Sequence, residues 1–206
     1  MTINLIILPV LLQFSIAIIL LFFWRKIAVQ KVISIAGSII SIFVAVALFT
    51  RVYNNNILTM QAGDWQAPFG ISFVADTFSA TMILLASISS TAVTIFSVVT
   101  MKKARMRFGY FPSFHFLVMG LNGAFLTGDI FNLYVWFEVI IISSFVFITL
   151  GGKKVQIEGA VKYFTLNFLA SMIFLTAIAV LYGLAGSLNM ADLSGKVLTI
   201  QNQGLV

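Results

Sequence analysis

The sequence predicts an all-α membrane protein of six transmembrane helices, on three observations. Of its 206 residues 61% are hydrophobic and only 9% charged, against roughly 45–50% apolar and about 25% charged in a soluble domain. The uncharged stretches fall into pieces close to the ~20 residues that span a bilayer core. The Lys and Arg residues cluster in the connections between those pieces. Twelve basic and six acidic side chains cannot cover a soluble surface of this size, so a soluble fold is excluded.

The spans follow in chain order. Leu5 to Trp24 carries no charge and predicts the first; no positive region precedes it and it is too long for a cleaved signal, so it reads as a retained membrane helix. Val32 to Thr50 predicts the second and Thr77 to Met101 the third. Phe108 to Gly128, with His115 inside, predicts the fourth, and Ile130 to Leu150, with Glu138 inside, the fifth. About Gly159 to Leu184 predicts the sixth, with Lys162 near its start. In lipid the backbone must satisfy its own hydrogen bonds, and without barrel-type alternation these runs are helices.

Connections set the expected orientation. Arg25, Lys26 and Lys31, then Lys102, Lys103, Arg105 and Arg107, then Lys153 and Lys154 fall on one side, against Arg51 and Lys196 on the other. By the positive-inside rule the basic side is cytoplasmic, so both termini are expected outside. The net charge of +6 is a topology signal, and no nucleic-acid partner is expected. The outer loop Val52 to Ala75 holds two short apolar stretches, Ile57 to Met60 and Phe69 to Val74, around a Gly/Asp/Pro turn. That pattern predicts an outer hairpin, although Trp65 could equally anchor at the interface. The tail, Asn189 to Val206, is polar and is expected as an outer loop without a further helix. Residues 1–107 make an N-terminal three-helix region with loop 52–75, and residues 108–206 a second region.

Chemistry is constrained by what the sequence omits. There is no Cys and one His, which removes iron–sulfur ligation, thiol catalysis, disulfides and a paired-His haem site. No cofactor and no metal site are expected. Attention therefore falls on the ionisable residues inside the spans. Glu138, ninth in the fifth span, lies ~12–13 Å from one end and ~18 Å from the other. An acid at such depth costs a few kcal/mol to insert, and acids so placed mark ion or proton paths. Unpartnered it would be neutral; beside a cation it would ionise, and switching between those states is the basic step of a proton relay. A protonated Glu138 bonded to a neighbouring helix as packing is the alternative.

Lys162 sits ~12 Å nearer the basic side than Glu138, so a direct ion pair would need a register shift. It either snorkels to the cytoplasmic face or serves the proton path. His115 is expected as a neutral imidazole bonded to a backbone carbonyl in preference to a proton carrier. Asp76 and Asp129 each precede an apolar run and are read as helix N-caps. Asn122, Thr127, Asn132, Ser143, Asn167 and Ser171 are expected to bond between helices.

The stretch Gly123-Ala-Phe-Leu-Thr-Gly-Asp-Ile-Phe-Asn-Leu-Tyr-Val-Trp-Phe-Glu-Val139 resembles the fourth-to-fifth-helix region of Mrp-type multisubunit sodium/proton antiporters, in particular their D subunits. Ala62 to Gly70, Val74 to Asp76, Glu158 to Phe164 and Tyr182 to Leu193 fit the same resemblance. More distantly the chain is similar to the antiporter-like proton-pumping subunits of respiratory complex I and membrane-bound hydrogenases. The resemblance implies a multi-pass subunit of a bacterial plasma membrane and a secondary transporter rather than an enzyme. Its partners would be companion membrane subunits, protons and sodium. It implies a fold of inverted repeats with broken helices, of which 108–206 would be the start of the proton-conducting part. By the Phe137-Glu138-Val139 match it places the functional carboxylate on Glu138, and it sets Lys162 on a sixth-helix Lys motif. His115 matches no motif of that family. Family members are more than twice this long; their seventh-helix Lys and second repeat lie outside these residues, so an N-terminal part of a larger subunit is expected. Three functions are then open: sodium/proton exchange; proton pumping in a complex I-type NADH–quinone oxidoreductase or membrane-bound hydrogenase; and a scaffold that packs companion subunits.

Overall fold

In the computed structural model, which describes residues 3–67 and 69–197, six long helices occupy the six apolar runs. They are α1 (Ile3–Phe22), α2 (Ile27–Asn55), α3 (Thr77–Thr100), α5 (Tyr110–Leu126), α6 (Ile130–Thr149) and α7 (Lys154–Ala185). A single turn, α4 (Lys103–Met106), and a short helix, α8 (Met190–Lys196), complete the helical set. Five of the long helices are long and apolar enough to cross a membrane. The sixth, α5, has 17 residues, about 25 Å of rise. It is also the most enclosed, with Phe111, Val118, Asn122 and Leu126 all buried. A helix sheathed by others need not match the hydrocarbon thickness itself.

The largest departures from the sequence reading are at α2, α7 and the tail. Helix α2 runs from Ile27 to Asn55, beyond the expected Val32–Thr50 at both ends. Its polar end turns stay helical: Lys31 Nζ donates to the Val98 carbonyl near the end of α3 at 2.8 Å, where a cation complements the helix dipole. Helix α7 starts at Lys154, five residues ahead of the expected Gly159. The tail, expected without a helix, contains α8. Asn189 Oδ1 caps it by accepting from the Ala191 and Asp192 amides at 3.1 and 3.2 Å. A Lys196–Asp192 pair at 2.8 Å closes its turn; that ammonium, with the Ser187 hydroxyl, holds the Asp192 carboxyl below its ordinary range. Residues 198–206 of the expected tail lie outside the described residues.

The expected hairpin is present. Strand β1 (Leu58–Gln61) pairs antiparallel with β2 (Ser72–Ala75), Leu58 opposite Ala75. It rests on α1, α3 and α5. Phe73 bridges to Thr127, and Asp129 bridges to Asn189. Asn189 Nδ2 donates to Ser72 Oγ at 3.1 Å, so hairpin, α5–α6 turn and α7–α8 turn are tied at one end. The expected caps hold here too: Asp76 forms a capping box with Ser79, and Asp129 Oδ1 accepts from the Asn132 amide at 2.8 Å.

Side-chain burial is layered along the bundle of α1, α2, α3 and α5. One apolar cluster, with Ile6, Val10, Leu48, Phe73, Ile83 and Leu126, lies toward the hairpin. A second, with Ile16, Leu20, Met106, Tyr110, Phe111 and Leu150, lies toward the basic connections. Between them sits a buried polar layer that includes Gln13, Ser34, Ser38, Thr91, Thr94 and His115. Helix α6 leans on α5, and α7 mainly on α6. Of the most apolar stretch of α7 only 6% is buried, against 39% for α1, so α6 and α7 form an open flank.

A close approach fixes α5 against α6. The α-carbon of Gly123 lies under the indole of Trp136, where a Cβ would collide with the ring. One turn earlier a Cβ on Gly120 would meet Ile140 Cγ1 at 2.8 Å. The indole is rigid, so it cannot yield as a flexible chain would. Overpacking of this kind costs about 1–3 kcal/mol. Gly123→Val is therefore expected to lower the thermal midpoint of the purified protein, whereas Gly183→Ala, where a Cβ would meet nothing within 4 Å, should leave it unchanged.

Candidate proton-path site

Asp129 starts α6, and at helical rise Glu138 comes about 13 Å along it. Its side chain turns to α7, where the Ser171 hydroxyl donates to Glu138 Oε1. Ser171 is buried and Glu138 half-buried. Aromatic rings line the seam nearby: Tyr134 meets Phe174 edge-on at 6.1 Å between centroids, and Phe137 lies 6.3 Å from the same ring. The carboxyl thus sits in apolar surroundings with a single hydroxyl as its protein donor among the described residues. The amide of Asn167 on α7 turns back to its own helix, Nδ2 donating to the Tyr163 carbonyl at 2.7 Å.

Lys162 is not brought to Glu138. Its ammonium pairs with Glu158 Oε1 at 2.9 Å, one turn back on α7, with the two side chains 72% and 60% exposed. It lies nine residues before Ser171, hence about 13 Å nearer the basic end. The offset expected from rise alone is present in the fold. Exposed pairs at this spacing contribute about 0.3–0.5 kcal/mol, too little for α7 to depend on this one.

His115 departs from its expected partner. Instead of a backbone carbonyl it meets two side chains: Nε2 lies 2.7 Å from Ser34 Oγ and Nδ1 2.6 Å from Gln13 Oε1. Gln13 Nε2 in turn donates to Ser41 Oγ at 2.8 Å. Since Gln13 presents its carbonyl oxygen, His115 Nδ1 carries the hydrogen and Nε2 accepts from Ser34. Beside it Ser38 and Thr94 hydroxyls lie 3.2 Å apart. Sequence reasoning passed over this layer. The available signal was Ser34, Ser38 and Ser41, spaced four and three apart on one face of α2, together with Gln13 in an otherwise apolar run. The other polar residues behave as expected in part: Asn122 Nδ2 reaches the Pro9 carbonyl on α1 at 3.2 Å, while Thr127 and Asn132 bond across the α5–α6 turn.

A family described as "NADH:quinone oxidoreductase/Mrp antiporter, TM" matches residues 127–205, a segment that includes Glu138, Lys162 and Ser171. The D subunit of the Na(+)/H(+) antiporter of Alkalihalophilus pseudofirmus is 41% identical over 98% of this chain and 41% of its own length. Its counterpart in Bacillus subtilis is 37% identical with the same coverage. This chain is a homologue of the N-terminal part of antiporter D subunits. It spans about two-fifths of the length of the curated relatives it matches. Among solved structures, the Mrp complex from a Dietzia species aligns over 97% of the chain and 40% of its own with TM-score 0.83 and 25% identity. The archaeal membrane-bound sulfane sulfur reductase aligns over 98% and 41% with TM-score 0.87 and 28% identity. The D-subunit homologue is accordingly a multi-pass membrane protein, related to the antiporter-like subunits of NADH:quinone oxidoreductases, and its named relatives are transporter subunits.

Proposed function

We propose that this chain supplies the N-terminal part of a D-type subunit in a multisubunit antiporter that exchanges sodium for protons, and that Glu138 carries the proton. The observation that carries this reading is an ionisable acid inside α6, bonded to α7 by one hydroxyl, in a chain 41% identical across 98% of its length to the D subunit of a sodium/proton antiporter. Residues 1–107 are the packing region and residues 108–206 the start of the conducting part. The basic connections face the cytoplasm and the hairpin faces out, in keeping with the Lys/Arg bias. Lys162 stands on α7 about 13 Å from Ser171 toward the cytoplasmic end, where it is placed at the mouth of the path. The cation that discharges Glu138 belongs to the remainder of the subunit, and companion membrane subunits supply the rest of the ion path.

The test is sodium-dependent proton movement in everted vesicles from an antiporter-deficient host expressing the full-length subunit with its companions. Sodium-driven proton movement is the expected result. Its absence in an assembled complex would favour a redox-driven proton pump, the second reading, which the likeness to the sulfane sulfur reductase complex supports. Sensitivity of proton movement to a quinone-site or sulfur substrate would then identify the driving reaction.

A further inference from the structure

Two cavities meet at the basic end of the bundle, and their chemistry is complementary to one kind of molecule. The first, about 390 Å³, is bordered by Lys102, Arg105 and Lys153 from the α3–α4 turn, α4 and the α6–α7 turn. The second, about 360 Å³, is lined mainly by apolar side chains of α3, α5 and α6, among them Val93, Phe114 and Leu117, with Gln156 of α7 also at its wall. Met101, Arg105, Leu150 and Gly151 border both, so the two are adjacent. From Met101 to Val93 the apolar part runs about 12 Å along α3, as a groove on the outside of the bundle, where Val93 is 44% exposed.

Charge separates this site from an ordinary basic connection. Among the described residues no Asp or Glu lines either cavity. Among those same described residues the ion pairs are Lys162–Glu158 and Lys196–Asp192, so none of Lys102, Arg105 and Lys153 is neutralised. Glu158, the acid closest in sequence to the site, is held by Lys162. Orientation in a bilayer requires only that such residues lie on one side. It does not require three of them to converge on the mouth of an apolar slot that opens where the polar boundary of the membrane must lie.

We propose that this composite cavity is a binding site for an anionic phospholipid. The phosphate would sit among Lys102, Arg105 and Lys153, and one acyl chain would lie along Phe114, Leu117 and Val93. Basic pockets between transmembrane helices suit such headgroups, and Arg105, bordering both cavities, is placed at the junction of headgroup and chain. The bound lipid would wedge α3 against the α6–α7 turn at the end of the bundle opposite the hairpin.

Native mass spectrometry of the detergent-purified complex holding the full-length subunit tests this, with phosphatidylglycerol and phosphatidylcholine offered at equal concentration. Three versions are compared: wild type, Lys102→Gln/Arg105→Gln/Lys153→Gln, and Val93→Trp, which fills the slot and leaves every charge in place. Lys103, Arg107 and Lys154 remain in the triple variant to orient the chain. Wild type is expected to retain phosphatidylglycerol preferentially. The triple variant should lose that preference by on the order of 100-fold, at about tenfold or less per basic residue, and Val93→Trp should retain neither lipid. Equal retention of the two lipids by wild type, or an unchanged preference in the triple variant, would overturn the headgroup assignment. Full retention by Val93→Trp, or displacement of the lipid by inorganic phosphate alone, would overturn the acyl-chain assignment.

Discussion

Glu138→Gln is expected to leave the complex assembled and to bring sodium-driven proton movement to background. Glutamine keeps the shape of the side chain and keeps an oxygen to accept from Ser171, so the α6–α7 seam survives. What it loses is the ability to take up and release a proton. Ser171→Ala tests the same seam from the other side. It removes one hydrogen bond to a group that is charged for part of the cycle, a contribution of about 1.5–3 kcal/mol, so exchange should slow by roughly tenfold or more without vanishing. Lys162→Gln should assemble normally, since its exposed pair with Glu158 contributes about 0.3–0.5 kcal/mol. Its exchange should fall several-fold if the ammonium assists the proton, and unchanged exchange would return Lys162 to a plain surface pair. Wild-type exchange in the assembled Glu138→Gln complex would reduce the acid to a packing element and sink the proposed path.

His115→Leu should act on assembly and spare exchange. The imidazole lies at zero exposure between the two apolar clusters, and its removal strands two buried partners, Gln13 Oε1 and Ser34 Oγ. A buried polar group left unpaired costs about 1–3 kcal/mol, while interhelical hydrogen bonds in membrane proteins average about 0.6 kcal/mol. Between those bounds a loss of roughly 2 kcal/mol is expected, read as a lower thermal midpoint and a lower yield of complex. Because the cost comes from orphaned groups more than from lost bonds, Gln13→Leu/Ser34→Ala/His115→Leu should recover much of it. Exchange per assembled complex should match wild type in both variants. If the single variant assembled normally but failed to exchange, the polar layer would be a conducting element and its packing role would fall.

Much of this protein was legible along the chain, because the rules concerned act over a few residues. Apolar length selects the spans, as Leu5 to Trp24 and Ile130 to Leu150 illustrate. A carboxylate ahead of an apolar run predicts a cap, and Asp76 and Asp129 are caps. Helical rise alone placed Lys162 some 12 Å from Glu138, and the fold keeps them apart. Helix ends were less legible, since the polar turns of α2 and α7 continue past the apolar stretch once a neighbour or the interface accepts them.

Partner choice was not legible at all. Ser171, thirty-three residues from Glu138, was one polar residue among several that could have met it. Gln13 and His115 stand 102 positions apart, and their pairing depends on α5 lying in the centre of the bundle against α1. Which face each helix turns inward is an azimuth, and periodicity does not determine it when nearly every residue around the helix is apolar. That angle is set where surfaces interlock, as Gly123 does beneath Trp136, and packing of that kind exists only once the helices are together.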